Sequence, residues 1–321
     1  MSNRLLLLAL APEHFYRDPL LQGFEQRFFG PDASSHPQVS PLGRAIRIDL
    51  QDLSGRDFLG VLNKMHFQPD ITFVKADASC RNHVRDIEFL PGRKVLLMGD
   101  THHMKTPLQT MLAYAQREPW DLISSEHDRH HLPLFMKAGL NHLIWLPCFT
   151  MNPHRLQPQL PVDIRPVFVG SLSPHHQQRQ RLLSQLQGLG ITLQITTAPQ
   201  VEAAKLYNRH SISLNVSLNG DLNFRIMEVL AAGGCLLTDR LGPDSGLDLL
   251  LAEGVHYLAY SSAAEAANKI QWLQGHPEER LAIARSGFDR FWTNFAPEVQ
   301  GKALLAALNG LPFPELFRSP Q

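Results

Sequence analysis

Cysteine is scarce: Cys80, Cys148 and Cys235 are the three in 321 residues. They are too few and too scattered for a disulfide framework, and without a C-x-x-C pair they argue against a thiolate zinc site. An excess of charge of one sign is missing as well. Lys and Arg number 30 and Asp and Glu number 30, so nothing global draws the chain to nucleic acid or anionic membrane. Long apolar runs are absent. The run at residues 5–10 is too short for a membrane span and lacks the length and small-residue cleavage site of a signal peptide. It reads as a buried first strand. These absences predict a cytoplasmic protein with no membrane span and no nucleic-acid partner.

What is present is enough apolar material for real cores, 44% of residues against 19% charged, and a length that suits two domains. Short apolar runs recur at residues 4–9, 45–50, 70–75, 94–99, 121–124 and 142–146, and again at 166–170, 191–196, 211–216, 235–238 and 256–260. Helix-length amphipathic segments separate them. Continuous apolar strands alternating with helices predict parallel sheets covered on both faces. The proline-dense stretch 147–166 reads as a linker, which divides the chain into domains at 1–155 and 156–321, with a last helix near 297–308 free to return to the first. Two such domains facing each other would enclose a cleft between strand ends. Residues 311–321 read as loosely held, and Trp120, Trp145, Trp272 and Met98 as core filling.

Residues 215–240, NVSLNGDLNFRIMEVLAAGGCLLTDR, carry the most information. Asn219-Gly220-Asp221 forms a turn, Asp221 or Asn223 caps a helix over 224–232, and Gly233 and Gly234 stop it. Arg225 and Glu228 share one helix face. They are either a surface ion pair or two parts of a ligand site, with phosphate at the helix N-terminus and Arg225 and a ribose at Glu228. Upstream, Gly170-Ser171 ends a strand before a helix that carries Arg179. By itself that is a turn found in any α/β domain.

The run Asn223 to Gly234, followed by a strand ending Leu237-Thr238-Asp239, resembles the donor-binding segment of GT-B glycosyltransferases. It is most similar to the group related to the spore-maturation protein CgeB. The likeness extends to Glu253-Gly254-Val255-His256-Tyr257 with Tyr260, to His276-Pro277-Glu278-Glu279-Arg280 with Ala284, and to Phe168-Val169-Gly170-Ser171 with Arg179. It implies an α/β chain of GT-B architecture, two Rossmann-like domains with parallel sheets facing a central cleft. It implies transfer of a sugar from a nucleotide-diphosphate sugar to an acceptor such as a protein or surface polysaccharide, with no metal cofactor. The implied donor-binding residues are Gly170, Ser171, Arg179, Asn219, Gly220, Asn223, Phe224, Arg225 and Glu228. Glu228 matches the second glutamate of the two-glutamate motif of retaining members. The first would fall at Gly220, where no carboxylate stands. A GT-B nucleotide-sugar epimerase and a non-catalytic scaffold are the rival functions.

Five of the 16 histidines fall in two loops after neighbouring strands. One loop holds Asp100, His102 and His103; the other holds His127, His130 and His131 with Glu126. Three readings compete: a metal site, acid–base work on an acceptor hydroxyl, and solvated loops. Asp100, His102 and His103 are the expected catalytic residues, with Asp100 orienting an imidazole. His130 and His131 read as exposed, and Asp77 is expected to line the acceptor side.

Overall fold

The computed structural model describes residues 3–11, 15–31, 45–47, 54–99, 101, 104–127, 129–173 and 176–318. The chain forms two compact units, Met1–Met151 with Pro297–Gln321, and Asn152–Ala296.

The first unit is built on a seven-stranded sheet of β1 (Asn3–Leu8), β2 (Phe24–Gly30), β3 (Ala45–Arg47), β4 (Ile71–Ala76), β5 (Arg93–Met98), β6 (Leu122–Ser125) and β7 (Leu143–Trp145), in the order β3-β2-β1-β4-β5-β6-β7. Every pairing is parallel. β1 lies inside the sheet, so Leu5 to Leu8 are fully buried on both faces, which is why the sequence runs apolar without alternation. Helices α1 (Gly55–Lys64), α2 (Pro107–Arg117) and α3 (Leu132–Lys137) belong to this unit. Ser54 and Asp57 form a capping box at the start of α1, and Pro107 opens α2.

β2 is the strand that apolar patterning did not reveal. Its first half is polar: Glu25 pairs with Arg27 at 2.8 Å, and the buried Gln26 accepts a bond from the Leu20 amide at 2.9 Å. Partnered polar groups let a strand enter a sheet without an apolar signature.

The second unit holds a parallel five-stranded sheet of β8 (Val167–Val169), β9 (Gln194–Thr196), β10 (Ser213–Asn215), β11 (Leu236–Asp239) and β12 (Leu258–Tyr260), ordered β12-β11-β10-β8-β9. Its helices are α4 (Gln177–Gly188), α5 (Gln200–Arg209), α6 (Phe224–Ala231), α7 (Leu247–Leu250), α8 (Ala263–Gly275) and α9 (Pro277–Asn294). Phe168, Leu214, Leu237, Leu186, Ile270 and Ala284 anchor one core between the sheet and α4, α8 and α9.

Residues 152–166 of the segment expected as a linker are strapped along this second unit. Asn208 Nδ2 donates to Gln157 O at 2.9 Å, Val162 N donates to Arg209 O at 2.9 Å, and the Arg155 guanidinium lies 4.9 Å from the Trp292 ring centroid. Gly233, left-handed at φ +68°, ends α6 against Leu156 O and Pro158, where a Cβ would collide. Proline density here marks an extended strap whose backbone bonds are made to a neighbour.

The last helix, α10 (Pro297–Leu308), belongs to the first unit, where Gln300 Nε2 donates to Pro147 O at 3.1 Å. The tail expected to be loose is anchored: Phe317 is fully buried and Arg318 forms a bridge to Ile144. Trp272 is 43% exposed and stacks on His276, so it is not a core residue. Among the described residues no helix is long and apolar enough to cross a membrane.

Candidate functional site

The second sheet grows outward from β8, with β9 on one side and β10 on the other. The crevice outside the carboxyl ends of β8 and β10 is therefore a topological switch point, where open α/β sheets receive ligands. The loop after β8, the loop after β10 and helix α6 meet there.

Gly170 N donates to Thr196 O at 2.8 Å. Strand pairing thus occupies the amide that the sequence offered to a ligand, and the available amides are the next ones. Among the described residues, those of Ser171, Leu172 and Ser173 donate to no protein acceptor. Their carbonyls are held from α4: Arg179 Nη1 donates to Ser171 O at 2.9 Å, and Gln180 Nε2 donates to Leu172 O at 2.9 Å and Ser173 O at 3.0 Å. Tethered carbonyls beside open N–H groups form a cradle suited to an anion.

Arg179 is 6% exposed. It also donates from Nη2 to Val216 O at 3.2 Å, so it braces both loops from beneath. Burial, reinforced by the charge of Arg225, lowers its pKa to about 10.

Arg225, on the first turn of α6, donates from Nη1 to Asn215 Oδ1 at 3.0 Å. Asn215 is oriented in turn by its Nδ2 bond to Thr238 Oγ1 at 2.9 Å. The Arg225 guanidinium lies 4.6 Å from the Phe168 ring centroid, and Arg179 sits 5.2 Å from the same ring. Gly170 makes room for it, because a Cβ at 170 would overlap Arg225 Nη2. Arg225 and Glu228 do not form the surface ion pair that their spacing allows; among the described residues no carboxylate stands within ion-pair distance of Arg225.

Glu228, one turn on, lines the same cavity as Tyr207 and Arg225. Burial raises its pKa above the ordinary carboxylate value, while Arg225 and Tyr207 pull it down. These side chains line an open cavity of about 260 Å³ together with Val169, Gly170, Ser171, Thr197, Ala198, Gln200, Ala203 and Tyr207. The cavity thus presents a cation, a carboxylate and the Ser171 end of the amide cradle, all within the second unit.

Other expected donor residues sit differently. Asn219 and Gly220 form an exposed turn with Gly220 left-handed at φ +74°, outside the cavity lining. Asp221 is buried and turns its Oδ1 to the Leu218 and Asn219 amides, both at 3.3 Å, so it holds the turn. Asn223 occupies the N-cap position of α6 without a side-chain cap bond, and its Oδ1 is buried without a partner. Phe224 is the first helical residue.

Asp100, His102 and His103 lie outside the described residues. Beside them, Thr101 Oγ1 and His131 Nδ1 are 2.6 Å apart, and the His130 and His131 rings are 4.0 Å apart. Both histidines are half-buried rather than exposed. Asp77 Oδ1 accepts from Ser79 N at 2.8 Å, which folds the loop after β4. A buried ion pair joins Lys75 on β4 to Glu126 after β6, and Thr150 completes it through Lys75 Nζ at 3.0 Å and its own amide at 2.6 Å to Glu126 Oε1. Among the described residues no three His, Cys, Asp or Glu side chains gather to hold a metal ion.

Sequence reasoning missed Tyr207, Asn215 and the open amides after Ser171. A tyrosine on an amphipathic helix and an asparagine in an apolar strand carry no functional signal until the helix and strand are brought together.

Residues 177–306 match a family model described as glycosyl transferase-like. No curated protein matches the chain. Among solved structures, the chain is similar to Anabaena Alr3699/HepE in complex with UDP and glucose, with a TM-score of 0.66 and 13% identity over 96% of this chain and 100% of that one. It is also similar to sucrose-phosphate synthase from Thermosynechococcus elongatus, with a TM-score of 0.65 and 12% identity over 96% and 98%. A putative UDP-N-acetylglucosamine 2-epimerase from Listeria monocytogenes aligns with a TM-score of 0.61 and 10% identity over 97% and 96%. The fold is therefore GT-B, as the resemblance in residues 223–239 implied.

Proposed function

We propose that the chain is a glycosyltransferase that takes a sugar from a nucleotide-diphosphate sugar, with the nucleoside diphosphate seated in the cavity of the second unit. The observation that carries this reading is the separation of Arg225 from Glu228. One helix seats a cation against Gly170 and Asn215 and presents a carboxylate to the same cavity, and the two form no direct ion pair. A diphosphate would lie on Arg225 and the amides of Ser171, Leu172 and Ser173, and a ribose would meet Glu228. Charge that builds on the departing diphosphate would be met by donors already in place, which is where such sites gain most of their rate. Phosphate charge is answered by arginine and amides, so the reading calls for no metal. The glycosyl transferase-like match over 177–306 supports it, and the UDP and UDP-glucose complexes of the Anabaena protein make a uridine nucleotide the first donor to test.

The finer assignments are part of the same proposal. The chain is placed in the CgeB-like group and in the cytoplasm. Its acceptor is a protein or surface polysaccharide, and Asp100, His102 and His103 act on the acceptor side. The test is incubation with a panel of nucleotide sugars, reading free nucleoside diphosphate. Stoichiometric release with sugar appearing on an acceptor supports transfer. Interconversion of nucleotide sugars without transfer would make it an epimerase, and binding without turnover a scaffold.

A further inference from the structure

Three strand ends of the second sheet are tied together behind Arg225. Asn215, the last residue of β10, stands in register with Thr238 of β11, and Asp239 stands in register with Tyr260 of β12. Asn215 and Thr238 are fully buried, and their side chains are joined. Asn215 Nδ2 donates to Thr238 Oγ1 at 2.9 Å, and Thr238 Oγ1 donates to Asp239 Oδ1 at 3.2 Å. Asp239 also accepts from Ser217 N at 2.9 Å and from the Ser217 hydroxyl. The Asn215 backbone is fixed as well, because the Tyr260 hydroxyl donates to its carbonyl at 2.7 Å. The chemistry sets the direction of each side-chain bond. A carboxylate only accepts, so the single hydrogen of Thr238 goes to Asp239, and its oxygen is left to accept from Asn215. Asn215 therefore turns its NH2 group to Thr238 and its oxygen to Arg225, whose Nη1 can only donate and meets it at 3.0 Å.

We propose that Asn215 is a positioning residue for the diphosphate: ordered by Thr238 and Asp239, its amide oxygen seats the Arg225 guanidinium without neutralising it. The inference rests on the assignment of Arg225 to diphosphate made above. Asn215 lies outside the cavity lining, so it acts through Arg225. Position 215 has to donate to Thr238 and accept from Arg225 at once, which an amide does and a carboxylate does not. A carboxylate there would also pair with Arg225, and its charge would offset the attraction for phosphate. A neutral acceptor leaves the full cation to the ligand. Phe168 and Gly170 bound the same seat by contact, but neither has a side-chain acceptor, so the directional bond comes from Asn215. A guanidinium ordered before the ligand arrives lowers the entropy cost of binding.

The experiment titrates UDP, GDP and ADP calorimetrically into wild type. The tightest binder is then compared with its plain nucleoside in Asn215→Leu, Asn215→Asp, Thr238→Val and Arg225→Ala. Asn215→Leu and Thr238→Val should each weaken the diphosphate about three- to tenfold and leave the nucleoside unchanged. Thr238→Ser, which restores the hydroxyl, should restore the affinity. Asn215→Asp keeps the size of the side chain, yet should lose at least as much as Asn215→Leu. In an Arg225→Ala background none of these changes should weaken the diphosphate further. Equal losses for diphosphate and nucleoside would reduce the network to packing, and an Asn215→Asp variant that binds as tightly as wild type would also overturn the inference. If Asn215→Leu does not fold, Thr238→Val and Asn215→Asp still decide. If wild type binds none of the three diphosphates, or Arg225→Ala binds as well as wild type, the assignment of Arg225 to diphosphate fails and the inference with it. A loss in Arg225→Ala without one in Asn215→Leu or Thr238→Val overturns the inference alone, and the two failures are thereby told apart.

Discussion

The guanidinium of Arg225 occupies the space that a side chain at position 170 would need. Gly170 follows β8 and Arg225 stands on the first turn of α6, 55 residues later in a 321-residue chain. The glycine therefore serves the arginine's seat over Phe168, not a backbone bond to a ligand, since its own amide is paired with Thr196 O.

Arg225→Ala should weaken diphosphate binding by about 1.5–3 kcal/mol, the scale of a lost charged hydrogen bond, with little effect on the plain nucleoside. Gly170→Ala should reproduce part of that loss by displacing the guanidinium while leaving the fold intact, because only the end of a flexible side chain must move. The double variant should be no worse than Arg225→Ala. Titrations with UDP and uridine check this, and additive losses would show that Gly170 acts by another route.

Glu228→Gln should weaken nucleoside binding while the melting temperature holds or rises. Burial raises the Glu228 pKa, so the folded chain keeps that proton more tightly than the unfolded chain. Stability then falls as pH rises through the ordinary carboxylate pKa up to the raised one. Glutamine removes that cost. For the same reason, wild-type nucleoside affinity should fall on acidification at a pH above the ordinary carboxylate range. A large drop in melting temperature for Glu228→Gln would mark the residue as structural.

Lys75→Met should destabilise the first unit by about 3–5 kcal/mol, because it leaves Glu126 buried without its countercharge. Lys75→Met combined with Glu126→Leu should recover most of that loss. Chemical denaturation of the three proteins measures both. A harmless single variant would mean that Thr150 alone satisfies Glu126.

Activity should survive exhaustive chelation and fall in Asp100→Asn and His102→Ala with donor affinity near wild type, as expected of groups that touch the acceptor or the transition state. The pH–rate profile of His102→Ala should lose one ionisation if that imidazole is the base. Activity abolished by chelation, with stoichiometric metal in the purified protein, would contradict this outright.

Much of the molecule was legible in the residues. Leu5 to Leu8 announce a strand buried on both faces because such strands have no solvent side to alternate against. Gly233 and Gly234 mark the end of α6, where their amides donate to Leu230 O and Val229 O, and Asn223 marks its start by position alone, without a side-chain cap bond. Arg225 and Glu228 stand together on that helix because its period places residues three apart on one face. These are local rules, and local sequence determines them. Tertiary structure alone decided what the two charges do. Their spacing permits an ion pair, and only the arrival of Phe168 and Asn215 from two strands, with Gly170 just beyond the first, seats Arg225 apart from Glu228. The same holds for β2, for the strap over 152–166 and for the Phe317 anchor, whose polar or proline-rich sequences read as irregular. Each is fixed by partners distant in the chain, and a hydrogen bond or a buried face is a property of two surfaces, only one of which any local stretch of sequence contains.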